Sequence, residues 1–507
     1  MILVQHFLEN SAERLPEKTA LICDGQYLSY NEIEKRANSL AQALIANNLQ
    51  RGERVILFMP NSIELVISIF AVLKADGVFV VINSSTKYEK LLYILKDSLA
   101  AGLITSGNQK ELFLNLQKDL PELKIKILKQ TKNQKIDGVI SFETILNTFP
   151  AKRPVPKNID VDLACLVYTS GSTGEPKGVM SDHNNVVFAA TSVTTYLENT
   201  EEDIVLNFLP FSFDYGLYQL IMTFKFGGTL VLEKGFTFPG LVLKRMEEEK
   251  VSGFPGVTTV FNRIIRMELE QYDLSSIRYL TNTAEALPPE VILRLQQKFP
   301  AAKVFSMYGL TETQRTLYMP PDKLNSRLDS VGIAIPGTEV WLIDEEGNRL
   351  EPGSSGELVV RGRHVMRGYW NDSASTAKRF RPGQIPGERI CYTNDLFRMD
   401  EEGYLYFIAR KDDILKCGGE KVSPVEIEKV LYKLEGIIEA AVIGVPDPIQ
   451  GQTVKAFIVT DKTDLSAKQV LAHCRVFLED YMMPRMIEFR DQLPKTISNK
   501  IKKSALK

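Results

Sequence analysis

Apolar and polar positions alternate with two periods along this chain. After Ser29, with Glu32 three residues on, Ile33, Ala37, Leu40, Ala41 and Leu44 line one face. That spacing predicts a helix entered through a capping box. The apolar runs 55–58 and 78–82 flank a longer apolar stretch over 63–74. They predict a strand–helix–strand unit with parallel pairing and a right-handed crossover. Lys74 and Asp76 interrupt the region 66–82, which therefore reads as a buried helix and strand and not as a membrane span. The polar, proline-containing stretch 124–157 predicts a loop excursion. From about Asp160 to Pro320 the strand–helix alternation resumes, predicting a second α/β segment. Short β-rich runs follow at 339–343 and 357–361, broken by Gly-Asn and Pro-Gly turns. After Arg410, a helix opening at Pro424 and strands at 440–444 and 454–459 predict a small α+β unit. The fold class expected is α/β: a large N-terminal lobe of parallel-rich sheets flanked by helices, a β-rich subdomain, and a small α+β C-terminal lobe.

Composition narrows the function. A chain of 507 residues divides into about three domain-sized units, or one large and one small lobe. Its 44% hydrophobic and 24% charged residues are ordinary for a globular protein, and a net charge of -2 offers no nucleic-acid surface. Five scattered cysteines form no CxxC pair, and the four histidines include no HExxH spacing. Neither a disulfide framework nor a zinc site is indicated, so any metal chemistry must use carboxylates and substrate phosphates. The N-terminal apolar stretch, Met1 to Val4, is too short for a signal peptide. A reduced cytoplasmic protein with no membrane partner is expected.

The most informative segment is Tyr168-Thr-Ser-Gly-Ser-Thr-Gly-Glu-Pro-Lys-Gly-Val179, which follows the apolar run Leu163 to Val167. Backbone N–H groups and hydroxyls of such a loop can surround phosphate oxygens, and Lys177 supplies a point charge. It is not a Walker A loop, because Glu175 and Pro176 separate Gly174 from Lys177. The segment resembles the phosphate loop of the adenylate-forming superfamily, which includes acyl-CoA synthetases, adenylation domains of peptide synthetases and luciferases. The resemblance spans nearly the whole chain. It implies a core over residues 1–410 that binds ATP and an acid, and a mobile lobe over 411–507 that carries a catalytic lysine. It also implies ATP and Mg2+ as cofactors.

Further segments carry the resemblance, and the roles below are those it implies. Thr169, Ser170, Gly171, Ser172, Thr173, Gly174 and Lys177 cradle phosphate, and Ala284 contacts the nucleotide. In Tyr308-Gly-Leu-Thr-Glu-Thr313, Tyr308 packs on adenine, Thr311 bonds the α-phosphate and Glu312 holds Mg2+. In Tyr392-Thr-Asn-Asp395, Asp395 chelates the ribose hydroxyls. Asn394 replaces a usual glycine there, and asparagine tolerates the left-handed backbone. Arg410 touches ribose or phosphate, and Asp412 is the hinge about which the small lobe swings. Ala409 stands where glycine is usual. In Pro494-Lys-Thr-Ile-Ser-Asn-Lys500, Lys500 bridges the acid and the α-phosphate during adenylation. Lys495, Lys502, Lys503 and Lys507 lie nearby, so the acting lysine is not fixed by spacing.

The acid and its acceptor are read from Leu209-Pro-Phe-Ser-Phe-Asp-Tyr-Gly-Leu-Tyr218. This stretch resembles amino-acid adenylation enzymes, in which the aspartate pairs with the substrate α-ammonium; a buried carboxylate needs such a cation. By that resemblance Asp214 reads an amino group, while Tyr215, Tyr218 and Met307 shape a compact apolar pocket. Asp214 as a simple helix-start residue is the alternative. Seven residues follow Lys500, from which a stand-alone enzyme loading a separate phosphopantetheinylated carrier protein is expected. The chain resembles the L-proline–carrier protein ligases of pyrrole and anatoxin-type biosynthesis. An AMP-forming acyl-CoA ligase acting on a fatty or other carboxylic acid, and a non-catalytic nucleotide-binding relative, remain the alternatives.

Overall fold

The structure is a computed structural model that describes all residues except 1, 108, 131–135, 171–174, 284–286, 418–419, 448–450, 497–499 and 507. Its N-terminal part holds two large sheets. One places the parallel strands Thr19–Cys23, Thr229–Leu232, Ile204–Asn207, Gly253–Gly256, Tyr279–Asn282 and Lys303–Tyr308 side by side, with antiparallel strands at both edges. The other runs Ile140–Ser141, Ile125–Lys129, Ala100–Ser106, Arg54–Phe58, Val78–Ile82 and Leu163–Ser170 in parallel, then closes antiparallel on Pro176–Asp182. Helix Ile63–Lys74 packs into the core with every residue but Glu64 buried, which is why its sequence is apolar nearly all round. Lys74 is tolerated there because its ammonium meets Glu9 at 2.6 Å and Glu34 at 3.0 Å.

The expected strand–helix–strand unit is present, as is the helix Tyr30–Ala46 with its Ser29/Glu32 capping box. The expected loop over 124–157 is corrected: it contains strand Ile125–Lys129 and helix Phe142–Thr148. Alternation was hidden in the short run at 125–129, where Ile125 and Ile127 face the core and the lysines do not. A β-rich antiparallel sheet follows, built on Glu339–Ile343, Ser355–Arg361, Arg389–Met399 and Leu405–Arg410.

Residues from 415 onward form their own apolar clusters, centred on Val422, Ile427, Leu431, Val442, Ala456 and Val470, with no buried member from earlier in the chain. The fold is therefore α/β with a large N-terminal part and a small C-terminal one, as expected. The two touch through Asn262 and Arg266, whose side chains donate to the carbonyls of Ile438 (3.2 Å) and Ile437 (2.9 Å), and through the Lys429–Asp329 pair at 3.4 Å. All five cysteines are free and buried. Among the described residues no helix is long and apolar enough to cross a membrane.

Candidate active site

Strand ends gather the candidate residues. Strands Leu163–Ser170 and Pro176–Asp182 pair antiparallel with Thr169 opposite Lys177, so the described ends of the phosphate-loop segment lie side by side. Gly171, Ser172, Thr173 and Gly174 lie outside the described residues, as does Ala284. Lys177, near the loop end of this strand pair, pairs with Asp372 (3.0 Å), donates to Ser375 Oγ and lies 5.6 Å from the Tyr369 ring centroid. Asp372 caps the helix Ser373–Arg379. The hydroxyl and N–H of Ser375, and then Lys177, hold its carboxyl down at about 2.

The segment Tyr308 to Thr313 leaves strand Lys303–Tyr308 in a tight turn. A Cβ on Gly309 would sit 1.8 Å from the Gln314 carbonyl oxygen, so only glycine lets the turn close. Tyr308 is wedged edge-on against Phe397 (4.9 Å), and its hydroxyl donates to Asp395 at 2.6 Å. Asp395 is 3% exposed, and Arg410 Nε stands 3.7 Å from its other oxygen. Burial raises the Asp395 carboxyl above its ordinary value, against the opposing pull of Arg410 and the Tyr308 hydroxyl. Asn394 has φ +57, the left-handed turn expected for it. Ala409 lies in the extended strand Leu405–Arg410, opposite Leu396, where no glycine is needed. The structure thus brings Tyr308, Asp395 and Arg410 together although they come from three separate segments.

Thr311 sits in the turn beside Glu312. Glu312 accepts from the Tyr369 hydroxyl at 2.6 Å and lies 4.0 Å from Arg379 Nε. That Nε is buried without a hydrogen-bond partner among the described residues. Among the described residues no cluster of three or more His, Cys, Asp or Glu could hold a metal on its own. A lone carboxylate suits Mg2+, which is usually held by one or two carboxylates together with substrate phosphates. Glu312 is the residue that would hold the ion, and the ion would neutralise phosphate charge there. Tyr369 and Arg379 were not singled out in the sequence. They belong to a segment without a recognised signature, and only folding sets them beside Glu312.

Of the residues expected to read the acid, Asp214, Tyr215 and Tyr218 lie in the first part of helix Asp214–Phe226, and Met307 lies on strand Lys303–Tyr308. Asp214 is buried, with Oδ1 accepting the Tyr215 N–H at 2.8 Å. Tyr215 donates its hydroxyl to the Thr281 carbonyl (2.7 Å), whereas the Tyr218 hydroxyl has no partner among the described residues. Met307 is buried, its sulfur 2.9 Å from the Tyr196 hydroxyl. A Cβ on Gly216 would lie 2.6 Å from the Pro210 carbonyl oxygen, so this glycine lets the helix start settle onto the preceding strand exit. Lys500 arrives from the C-terminal part: its ammonium lies 5.0 Å from the Phe213 ring centroid, one residue from Asp214. The Thr496 N–H donates to the Lys500 carbonyl at 2.7 Å. Its neighbours are committed elsewhere, Lys495 to Glu439 (2.5 Å) and Lys503 to Glu428 (2.7 Å). Asp412 accepts from the Asn394 amide at 2.9 Å, bridging the nucleotide-side turn and the start of the small lobe.

A profile of the AMP-binding enzyme family matches residues 8–370, and one of the AMP-binding enzyme C-terminal domain matches 426–500. The chain belongs to the AMP-binding enzyme family. It is an AMP-forming ligase that uses ATP with Mg2+ to make an adenylate. Among its relatives, a long-chain-fatty-acid–CoA ligase of Bacillus subtilis (strain 168) is 33% identical, over 98% of this chain and 93% of the relative. A feruloyl-CoA synthase of an Amycolatopsis species is 32% identical, over 98% and 96%. A solved anthranilate CoA ligase in complex with anthranoyl-AMP superposes with a TM-score of 0.91 at 28% identity, covering 100% of this chain and 96% of the other. These relatives are named for CoA ligation and none of the three for L-proline or a carrier protein. The expected likeness to L-proline–carrier protein ligases therefore has no support from them.

Proposed function

We propose that this protein activates a carboxylic acid as acyl-AMP, releasing pyrophosphate, and then passes the acyl group to the thiol of coenzyme A. In the first step a carboxylate oxygen attacks the α-phosphorus and the bond to the β-phosphate bridging oxygen breaks. In the second the thiolate attacks the acyl carbonyl and AMP leaves. The observation that carries the reading is the position of Lys500, set beside the acid-site helix by a different lobe from the one holding the Tyr308–Asp395–Arg410 group. A cation at that place would neutralise charge as carboxylate and phosphate approach, which is positioning combined with electrostatics. In this reading Tyr308 receives adenine, Asp395 and Arg410 the ribose, Thr169, Ser170 and Lys177 the phosphates, Thr311 the α-phosphate and Glu312 the Mg2+.

The lobe boundary falls at Arg410–Asp412, and Asp412 is the hinge. After adenylation, rotation there withdraws Lys500 and admits the thiol. Coenzyme A is favoured over a carrier protein because the relatives described above are CoA ligases. The buried Asp214 supports a second reading, an amino acid such as L-proline delivered to a holo-carrier protein. Incubating the protein with ATP, Mg2+ and a panel of fatty, aryl and amino acids, with either CoA or a holo-carrier as acceptor, separates them. Acyl-CoA formation with non-amino acids is expected; exchange confined to an amino acid and carrier loading alone would replace this reading with the second.

A further inference from the structure

Arg315 lies just beyond the Tyr308–Thr313 segment and belongs to none of the roles above. It is 3% exposed, and neither Nε nor Nη2 has a hydrogen-bond partner among the described residues. Its guanidinium carbon stands 4.5 Å from the Tyr215 ring centroid. Its charge also acts on Tyr196 and Tyr218. The hydroxyl of Tyr218, on the same helix as Tyr215, is likewise buried and without a partner among the described residues. A guanidinium cannot escape burial by losing its proton. A tyrosine face offsets part of its desolvation through cation–π attraction, but it leaves the in-plane N–H donors empty.

The arrangement has a direction. Lys500 stands over Phe213, just before the helix Asp214–Phe226, whereas Arg315 lies against Tyr215 and within electrostatic reach of Tyr218 one turn further along. In the acid-activating reading the reacting carboxylate belongs at the Lys500 end, which leaves Arg315, whose Nε and Nη2 have no partner among the described residues, for the other end of the acid. We propose that Arg315 reads a second anionic group on the substrate, and that the acid activated is a compact dicarboxylate. The Tyr218 hydroxyl adds a hydrogen bond to the same group. The proposal rests on the acid-activating reading above and names its substrate class. An acid with a plain hydrocarbon end would leave the guanidinium buried and unpaired, which disfavours it.

The test uses matched acids in ATP–pyrophosphate exchange: glutarate against pentanoate, adipate against hexanoate, terephthalate against benzoate. In the wild type the diacid of at least one pair should exceed its monoacid by about 100-fold in kcat/KM, because a site built around a polar partner discriminates strongly against its loss. Arg315→Met should lower that diacid-to-monoacid ratio by about 100-fold, and Arg315→Lys should recover part of it. Melting supplies a readout that needs no turnover. The apo Arg315→Met protein should melt higher than wild type, since it no longer buries an unpaired cation, and the preferred diacid should raise the melting temperature of the wild type only. Monoacid preference in every pair, or an equal effect of Arg315→Met on both members, overturns the proposal while leaving the ligase reading intact. Absence of exchange with every acid overturns the ligase reading and this proposal together.

Discussion

Replacing Lys500 with alanine should separate the two half-reactions. The side chain is the cation set beside the acid-site helix, and Lys495 and Lys503 cannot stand in because they are paired with Glu439 and Glu428. Removing one preorganised donor of this kind costs about 2.7–4 kcal/mol of transition-state stabilisation, a rate loss of roughly 10²–10³. The contact with Phe213 is also lost; at about 0.5–1 kcal/mol for a partly exposed cation–π pair it shifts the lobe equilibrium only about two- to fivefold away from this pose. Lys500→Ala should therefore lose roughly 10²–10³ in ATP–pyrophosphate exchange. Conversion of chemically supplied acyl-AMP and CoA to thioester should change by less than about tenfold, because that step uses the other pose. Phe213→Leu serves as the control that removes the ring contact alone, and it should cost exchange only a few-fold. Exchange within tenfold of wild type in Lys500→Ala, or an equal loss in Lys495→Ala, would refute the assignment of the cation. Equal losses in both half-reactions would refute the swing.

Three further outcomes follow from the same geometry. Because burial raises the Asp395 carboxyl, the apo protein favours its protonated form; that stabilising preference is full below the ordinary carboxylate range and is lost as pH rises through the raised value. Melting curves of wild type should accordingly fall relative to Asp395→Asn as pH is raised from 4 towards 7, while the variant binds ATP more weakly; parallel curves would contradict this. Asp372→Asn keeps a capping side chain but removes the charge opposite Lys177, a half-exposed pair worth about 0.2–1 kcal/mol. The KM for ATP should fall about 1.5- to 5-fold, and a rise would mean that Asp372 positions Lys177 for the phosphates instead of competing with them. Gly216→Ala forces a methyl against the Pro210 and Leu209 carbonyls, an overpacking cost of about 1–3 kcal/mol. The melting temperature should drop and the KM for the acid should rise more than the KM for ATP, as kinetics with each substrate varied in turn will reveal.

Local pattern by itself determined the elements whose burial leaves a periodic trace. The Ser29 capping box and the apolar helix at 63–74 are short-range features, set by spacing and turn chemistry, and they stand where the sequence placed them; the strand expected over Leu163 to Val167 is also present but runs on to Ser170. The left-handed turn at Asn394 was legible for the same reason. The segment 125–148 was misread because its strand is only five residues long and its apolar positions are diluted by lysines. Tertiary structure decided what neighbours what. Nothing in residues 312, 369 and 379 foretells that they meet, and only folding pairs Lys495 with Glu439 and Lys503 with Glu428 while setting Lys500 over Phe213. No sequence signature marks Arg315. Only folding sets it against Tyr215 and buries it with Nε and Nη2 lacking a partner among the described residues, and such burial is a property of the fold, not of the residue.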